Sequence, residues 1–263
     1  MLGLPRDTKA TATILVTCPV GGALDAHARL IPAGSWSRCQ SRLDCWDGRV
    51  NVNEHFVIAW TDSPPIAGGL AAVAEAQGGQ LLAAGPVHDV SERDSRPAPA
   101  GLVIARFGAA QNARSWFAAA GDGIDGTALM VAGATEPVWW PPERERQRPE
   151  WSRRAEFPSD RLGQFVCVWV GEISDLEQFL DYSVHYRWTV ESAGGAVLVP
   201  GPRPSQEVLR GGPGPLAMAL MAWPADGVAR HAWYEGPLYR PYRDQRHRAS
   251  RTSNVSVLAL PLD

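Results

Sequence analysis

The strongest constraint on the fold is an internal repeat. Phe-Val-x-x-Trp occurs as "FVIAW" (Phe56 to Trp60) and again as "FVCVW" (Phe165 to Trp169). After each comes a helix-forming segment that ends in Gly-Gly, at Gly78-Gly79 and then at Gly194-Gly195. An apolar run ending in Gly-Pro follows in both, "QLLAAGP" and "AVLVPGP", and then a second apolar run, "GLVIARF" and "PLAMALMAW". Each copy closes with an aromatic phrase, "ARSWF" (Ala113 to Phe117) or "ARHAWY" (Ala229 to Tyr234), and a last apolar run, "GTALMVAG" or "SNVSVLAL". Short apolar runs bounded by Gly and Pro predict strands. Glycine closing a helical segment fits a left-handed C-terminal cap. Each copy therefore reads β-α-β-β-α-β, the order of the ferredoxin-like split βαβ, an antiparallel sheet with both helices on one face. Such a sheet leaves its other face open, and two copies in one chain can cover each other. The expected fold class is α+β, two tandem ferredoxin-like domains forming an intrachain pseudo-dimeric α+β barrel, with a cavity between each sheet and its helices. Trp116 and Phe117 are predicted to bury the second helix of copy one on its sheet.

Domain boundaries follow from the repeat. Residues 55–136 form the first, degenerate domain and residues 161–263 the second, which is expected to hold the active site. Between them, residues 137–160 are rich in Pro and charge and read as a linker, in which Trp139, Trp140 and Trp151 are expected to pin the segment down. Residues 1–54 form an N-terminal extension that belongs to neither copy; "TATILVTCPV" reads as a strand and "GALDAHARLIPA" as a helix.

Composition narrows the function classes. Of the 263 residues 45% are hydrophobic and 20% charged, which predicts a folded soluble protein. A net charge of −3 gives no basic footprint for nucleic acid. The start of the chain lacks a signal peptide's order of segments, and no apolar run reaches the ~20 residues of a membrane span. The expectation is a cytoplasmic protein without a membrane partner. Cys18, Cys39, Cys45 and Cys167 are too few for a disulfide framework. Cys39 and Cys45 lack zinc-knuckle spacing, so no metal is expected. "GDGIDG" (Gly121 to Gly126) matches G-x-G-x-x-G, but it follows a helix and precedes a strand, the reverse of a dinucleotide site, and its Asp122 and Asp125 would repel phosphate.

The two copies differ where function should show. The first helix of copy one lies in the small-residue segment "PPIAGGLAAVAEAQ"; its counterpart "SDLEQFLDYSVHYRWTVESAGG" (Ser174 to Gly195) is longer and carries Tyr182, His185, Tyr186 and Trp188. At helical spacing Gln178, Tyr182, His185 and Thr189 share one face and Leu176, Phe179, Leu180 and Ser183 another. A polar-aromatic face over a sheet can line a ligand cavity or lie in solvent. Histidine is the natural general base near neutral pH. His185 is the first candidate because of its helix, and His231, beside Trp233 and Tyr234, the second. His88, at the end of a strand, could reach a cavity in copy one. Tyr182, Tyr186 and Tyr239 could hydrogen-bond a phenolic substrate, and Trp169, Trp188, Trp223 and Trp233 could stack on a flat ring.

The segment "AWYEGPLYRPYRDQRHRASRTSNVSVLAL" (Ala232 to Leu260) resembles a widespread family of small bacterial dimeric α+β barrel proteins. That family places an aromatic pair, a Ser-Pro-x-Tyr-like turn and an arginine before its last strand. Here Gly236-Pro237 stands for the Ser-Pro, and Tyr239 and Arg246 lie near the expected places. The resemblance spans most of residues 163–263 and, more weakly, 55–135. In length, tandem layout and tryptophan content the chain also resembles the oxygenases that open the B-ring of angucycline polyketides. That resemblance implies a reduced polycyclic aromatic polyketide and O2 as substrates. It further implies no tightly bound cofactor, and reduced flavin or reducing power from a partner flavin reductase. A cofactor-free polyketide cyclase or isomerase, and a non-catalytic ligand-binding tandem barrel, remain alternatives, and a homodimer is left open.

Overall fold

A computed structural model of the chain describes residues 54–93, 97–133, 149, 162–201, 206–224 and 227–260. The strand and helix expected before residue 54, and the three linker tryptophans, lie outside them. The first copy runs β1 (His55–Thr61), α1 (Ala67–Ala76), β2 (Gly79–Pro86), β3 (Asp89–Arg93), β4 (Gly101–Phe107), α2 (Ala110–Ala120) and β5 (Thr127–Ala132). The second runs β6 (Leu162–Ile173), α3 (Leu176–Ser192), β7 (Ala196–Gly201), β8 (Gln206–Arg210), β9 (Ala217–Pro224), α4 (Val228–Glu235), α5 (Arg240–Ala249) and β10 (Ser250–Leu258). All the expected strands and helices of the repeat are present. The additions are the two short strands β3 and β8 and the helix α5.

Both sheets are antiparallel and five-stranded, ordered β2-β4-β1-β5-β8 and β3-β10-β6-β9-β7. Within each, four strands keep the ferredoxin-like order. The fifth comes from the other copy: β3 leaves the first copy to pair with β10, and β8 leaves the second to pair with β5. These polar segments, "DVSER" and "QEVLR", sit between apolar runs and carry no strand signal of their own. They become strands because each lies along the open edge of the other copy's sheet.

The sheets pack face to face. Strand alternation sends Phe56, Ile58 and Trp60 of β1, and Phe165, Cys167 and Trp169 of β6, into one shared core. The repeated motif therefore meets itself, as a two-fold contact requires. Trp60 and Trp169 lie 5.2 Å apart, and the Trp60 indole donates to the Cys167 thiol at 3.3 Å. Burial pushes that thiol up to about 12. The opposite faces carry the helices. Trp116 is fully buried under α2 and donates its indole N–H to the Leu70 carbonyl of α1 at 3.2 Å, so the aromatic phrase of copy one is core, as expected.

The "GDGIDG" turn has a structural role. The Asp125 carboxylate accepts from the backbone N–H groups of Asp62 and Ser63 at 2.9 and 3.3 Å. Gly126 has φ +81, and a Cβ there would lie 2.2 Å from the Trp60 carbonyl oxygen, so only glycine fits.

Candidate functional site

The crossing strands are latched in a pseudo-symmetric way. Both pairings carry a bulge at the same step of register, between Asn254 and Val255 and between Ala128 and Leu129, which makes Asp89 the counterpart of Glu207 and Glu92 the counterpart of Arg210. Asp89 pairs with Arg230 of α4, and Glu207 pairs with Arg114 of α2 at 2.7 Å. Arg114 and Arg230 are the arginines of the two aromatic phrases. Part of the repeated wording is thus a latch for the strand received from the other copy.

The symmetry breaks three residues further along β3. Glu92 enters the helix layer of the second copy and is almost wholly buried there. Its carboxylate accepts from the Arg246 guanidinium, the Tyr234 hydroxyl and the Thr252 hydroxyl, and lies 3.1 Å from His247 Nε2. Burial raises the carboxyl, but the Arg246 charge and these hydrogen bonds outweigh it and hold the group far below its ordinary range. Arg246 is 1% exposed, and its guanidinium lies over the Tyr182 ring at 5.6 Å. The hydroxyls of Tyr182 and Tyr239 are 3.4 Å apart. Burial drives both phenols above their usual range, so they act as neutral hydrogen-bonding groups at neutral pH. At the matching place in copy one, Arg210 donates to the Ile124 carbonyl at 2.5 Å and lies over the Phe117 ring.

Two openings adjoin this centre. A cavity of ≈ 10 Å³ lies between the sheet and α3, lined by Val168, Val170, Phe179, Tyr182, Tyr186, Ala219 and Arg246. It has room for about one water-sized molecule. A groove of ≈ 290 Å³ lies between α4, the turn after it and the end of α3, lined by Ala193, Ala229, Ala232, Trp233, Pro237 and Leu238. The Trp233 ring stacks on Tyr239 at 3.9 Å, and its indole N–H donates to Thr189 Oγ1 at 2.9 Å. A column of aromatic rings therefore links the groove, through Trp233, Tyr239 and Tyr182, to the cavity.

Of the residues singled out from the sequence, the structure gathers Tyr182, Tyr186, Trp233 and Tyr239 around these openings, with Trp223 5.1 Å behind Trp233. The others lie elsewhere. Trp169 is in the core between the sheets, on the face of β6 opposite to the cavity. Trp188 packs with Val184 in a separate cluster on α3. His185 stacks on Tyr242 with ring centroids 5.0 Å apart and places Nδ1 2.8 Å from the Asp181 carbonyl oxygen of its own helix; it does not line the cavity. His231 is exposed on α4 next to Ala232, and His88 is exposed before β3. The expected helix face is also corrected. α3 is 17 residues against 10 for α1, and its sheet-facing side combines Tyr182 from one of the faces read at helical spacing, Phe179 and Ser183 from the other, and Tyr186 from neither, while Leu176 is exposed. Glu92 and Thr252 escaped sequence reasoning. The one available signal was a lone acidic residue in a polar stretch that only strand exchange carries into the other copy. Among the described residues no group of three His, Cys, Asp or Glu could hold a metal, and no helix is long and apolar enough to cross a membrane.

Comparison with known proteins gives a partial match, confined to the second copy. Residues 165–260 match the profile of a family described as a domain of unknown function (DUF1330). No curated protein matches the chain. A crystal structure of a mutant chlorite dismutase from Candidatus Nitrospira defluvii aligns with a TM-score of 0.46 and 10% identity, covering 80% of this chain and 92% of that one.

Proposed function

We propose that the chain is an oxygenase that seats a reduced polycyclic aromatic quinone in the groove floored by Trp233 and opens one of its rings with O2. The observation that carries the reading is the groove itself. Its ≈ 290 Å³ is close to the lower bound of small-molecule pockets, and its walls are apolar with an indole as floor. A flat ring gains from offset stacking there. The tandem layout supports the angucycline-type substrate class by resemblance. The hydroquinone supplies the electrons. After loss of a phenolic proton it reduces O2, and the two radicals combine to a ring hydroperoxide. Rearrangement then inserts one oxygen atom into a carbon–carbon bond and releases the other as water, so that hydroquinone plus O2 gives lactone plus water. His231 adjoins Ala232 on the helix that walls the groove, and it is the proposed proton acceptor. A partner flavin reductase would supply the hydroquinone by reducing the parent quinone.

The test supplies the purified chain with a chemically reduced tetracyclic quinone. Uptake of O2 and a product carrying a single atom from isotopically labelled O2 are expected. Anaerobic conversion to a ring-altered product would replace the oxygenase with an isomerase or cyclase. Quenching of tryptophan fluorescence without turnover under either condition would leave a ligand-binding protein.

A further inference from the structure

Trp233 is the aromatic side chain of the groove, and its setting differs from that of its counterpart in copy one. Each indole has a single polar group, its N–H. In copy one Trp116 is fully buried and gives that hydrogen to a main-chain carbonyl, that of Leu70 on α1, at 3.2 Å. In copy two Trp233 gives it to a side chain of the matching helix α3, the Thr189 hydroxyl, at 2.9 Å. Thr189 is fully buried, and its own hydrogen goes to the Tyr186 carbonyl at 2.7 Å. The hydroxyl oxygen is thereby held with a lone pair toward the indole. The Tyr239 ring lies against the same indole with 23° between the planes. A stacked ring fixes the tilt of its neighbour but leaves in-plane rotation soft, because many offsets are close in energy. A hydrogen bond is directional and fixes that rotation. Thr189 thus decides which edge of Trp233 turns to the groove.

We propose that Thr189 is the positioning residue of the groove: by locking the in-plane rotation of Trp233 it sets the orientation in which the polycyclic ring is held. The inference rests on the oxygenase reading and deepens it, because the outcome of that reaction depends on the orientation. In the productive branch superoxide and the semiquinone combine at one ring carbon, which requires a fixed ring. Where the ring turns, the semiquinone instead gives its remaining electron and proton to superoxide. Hydroquinone plus O2 then gives quinone plus hydrogen peroxide, and no carbon–carbon bond is broken. Thr189→Val keeps the shape of the side chain, removes the acceptor and strands the buried indole N–H, so the ring of Trp233 is released. Thr189→Ser keeps the hydroxyl and the lock.

The test gives the full chain a chemically reduced tetracyclic quinone and measures hydrogen peroxide released per O2 consumed, after subtraction of the protein-free rate. This ratio does not depend on how much of the protein is folded. Thr189→Val, or Thr189→Ala should the first fail to fold, should raise it about fivefold or more, and Thr189→Ser should return it to within about twofold of native. Ser250→Ala is the matched control. It removes another buried hydroxyl that bonds a main-chain carbonyl, that of Arg246 at 3.0 Å, and should leave the ratio unchanged. An unchanged ratio in Thr189→Val, or an equal rise in Ser250→Ala, overturns the proposal. Titration of tryptophan fluorescence with the oxidised quinone separates this inference from the reading beneath it. If the native chain binds quinone but takes up no O2, the oxygenase reading fails alone. Binding weakened about fivefold or more in Thr189→Val and restored by serine then upholds the lock, and equal binding overturns it. A native chain that binds no quinone overturns both.

Discussion

Replacing Glu92 by glutamine tests the centre most directly. The change keeps the shape of the side chain and removes its charge. Arg246, 1% exposed, is then left as a buried cation with no carboxylate beside it. Breaking a buried pair from one side costs about 3–5 kcal/mol. For a folded unit of this size each kcal/mol lowers the melting temperature by about 2–4 °C, so thermal unfolding followed by circular dichroism should shift down by about 6–20 °C. Removing both partners is different. In the Glu92→Gln, Arg246→Met double variant no charge is stranded, and the protein should be more stable than Glu92→Gln alone. The pH dependence follows from the sign of the shift. The folded carboxyl lies below its ordinary value of 4.5. Its contribution to stability is therefore complete above that value and falls away as the pH drops toward the folded value. Native stability should decline below about pH 4.5 more steeply than that of Glu92→Gln. A single-variant cost under about 1 kcal/mol, or two single effects that add in the double within about 0.5 kcal/mol, would refute the account of Glu92 and Arg246 as one buried unit.

Three further outcomes are expected. Ala232→Arg places a long cation at the rim of the groove on an exposed position; it should abolish fluorescence quenching by a tetracyclic quinone while stability stays within about 0.5 kcal/mol, as for a surface change, and retained quenching would exclude the groove. The Cys167 thiol, fully buried and pushed up to about 12, should resist an aromatic disulfide reagent in the native state and react at once in denaturant, as read in a variant with Cys18, Cys39 and Cys45 changed to Ser; rapid native labelling of Cys167 would show that the two sheets separate. His185→Ala removes a ring that stacks on Tyr242 outside both openings, so O2 uptake should fall by far less than the ~10²-fold typical of losing a general base. A loss of that size without unfolding would return His185 to the reaction.

The strands of the repeat were legible because each satisfies a local rule. Phe56, Ile58 and Trp60 alternate with Val57 and Ala59, and both faces of the strand are buried, one on the other sheet and one under helices. The same alternation in Phe165 to Trp169 predicts the partner sheet. The length difference between α1 and α3 was legible as well, since Phe-Val-x-x-Trp before each helix and Gly-Gly after it bracket both. What stayed hidden depends on partners remote in sequence. Nothing near Glu92 says that its neighbours are Thr252, 160 residues on, and Arg246, 154 residues on. The histidines illustrate the opposite error. Residue type and helix membership pointed to His185, whereas its position relative to Tyr242 and Asp181 sets it outside the cavity.

The exchanged strands differ in charge at one matched position, Glu92 against Arg210, and that divergence explains why only one helix layer holds a polar centre. Both copies keep the acidic latch residue, Asp89 or Glu207, and the arginine that meets it. Beyond the bulge the second copy receives Glu92 and offers it Tyr234, Thr252 and Arg246. The first copy receives Arg210 and offers it the Ile124 carbonyl oxygen and the Phe117 ring, where copy two has Tyr234. Arg210 has no buried counter-charge and reaches the fully exposed Asp122 only at 3.7 Å. A carboxylate in its place would face apolar Phe117 and the carbonyls of Gly121 and Ile124, which repel it, so neither site can take the other's residue without losing its partners. The exchanged strands thus do two jobs with one geometry: β8 ties down the turn after α2, and β3 carries into the second copy the charge that lets a buried arginine stand beside an apolar cavity.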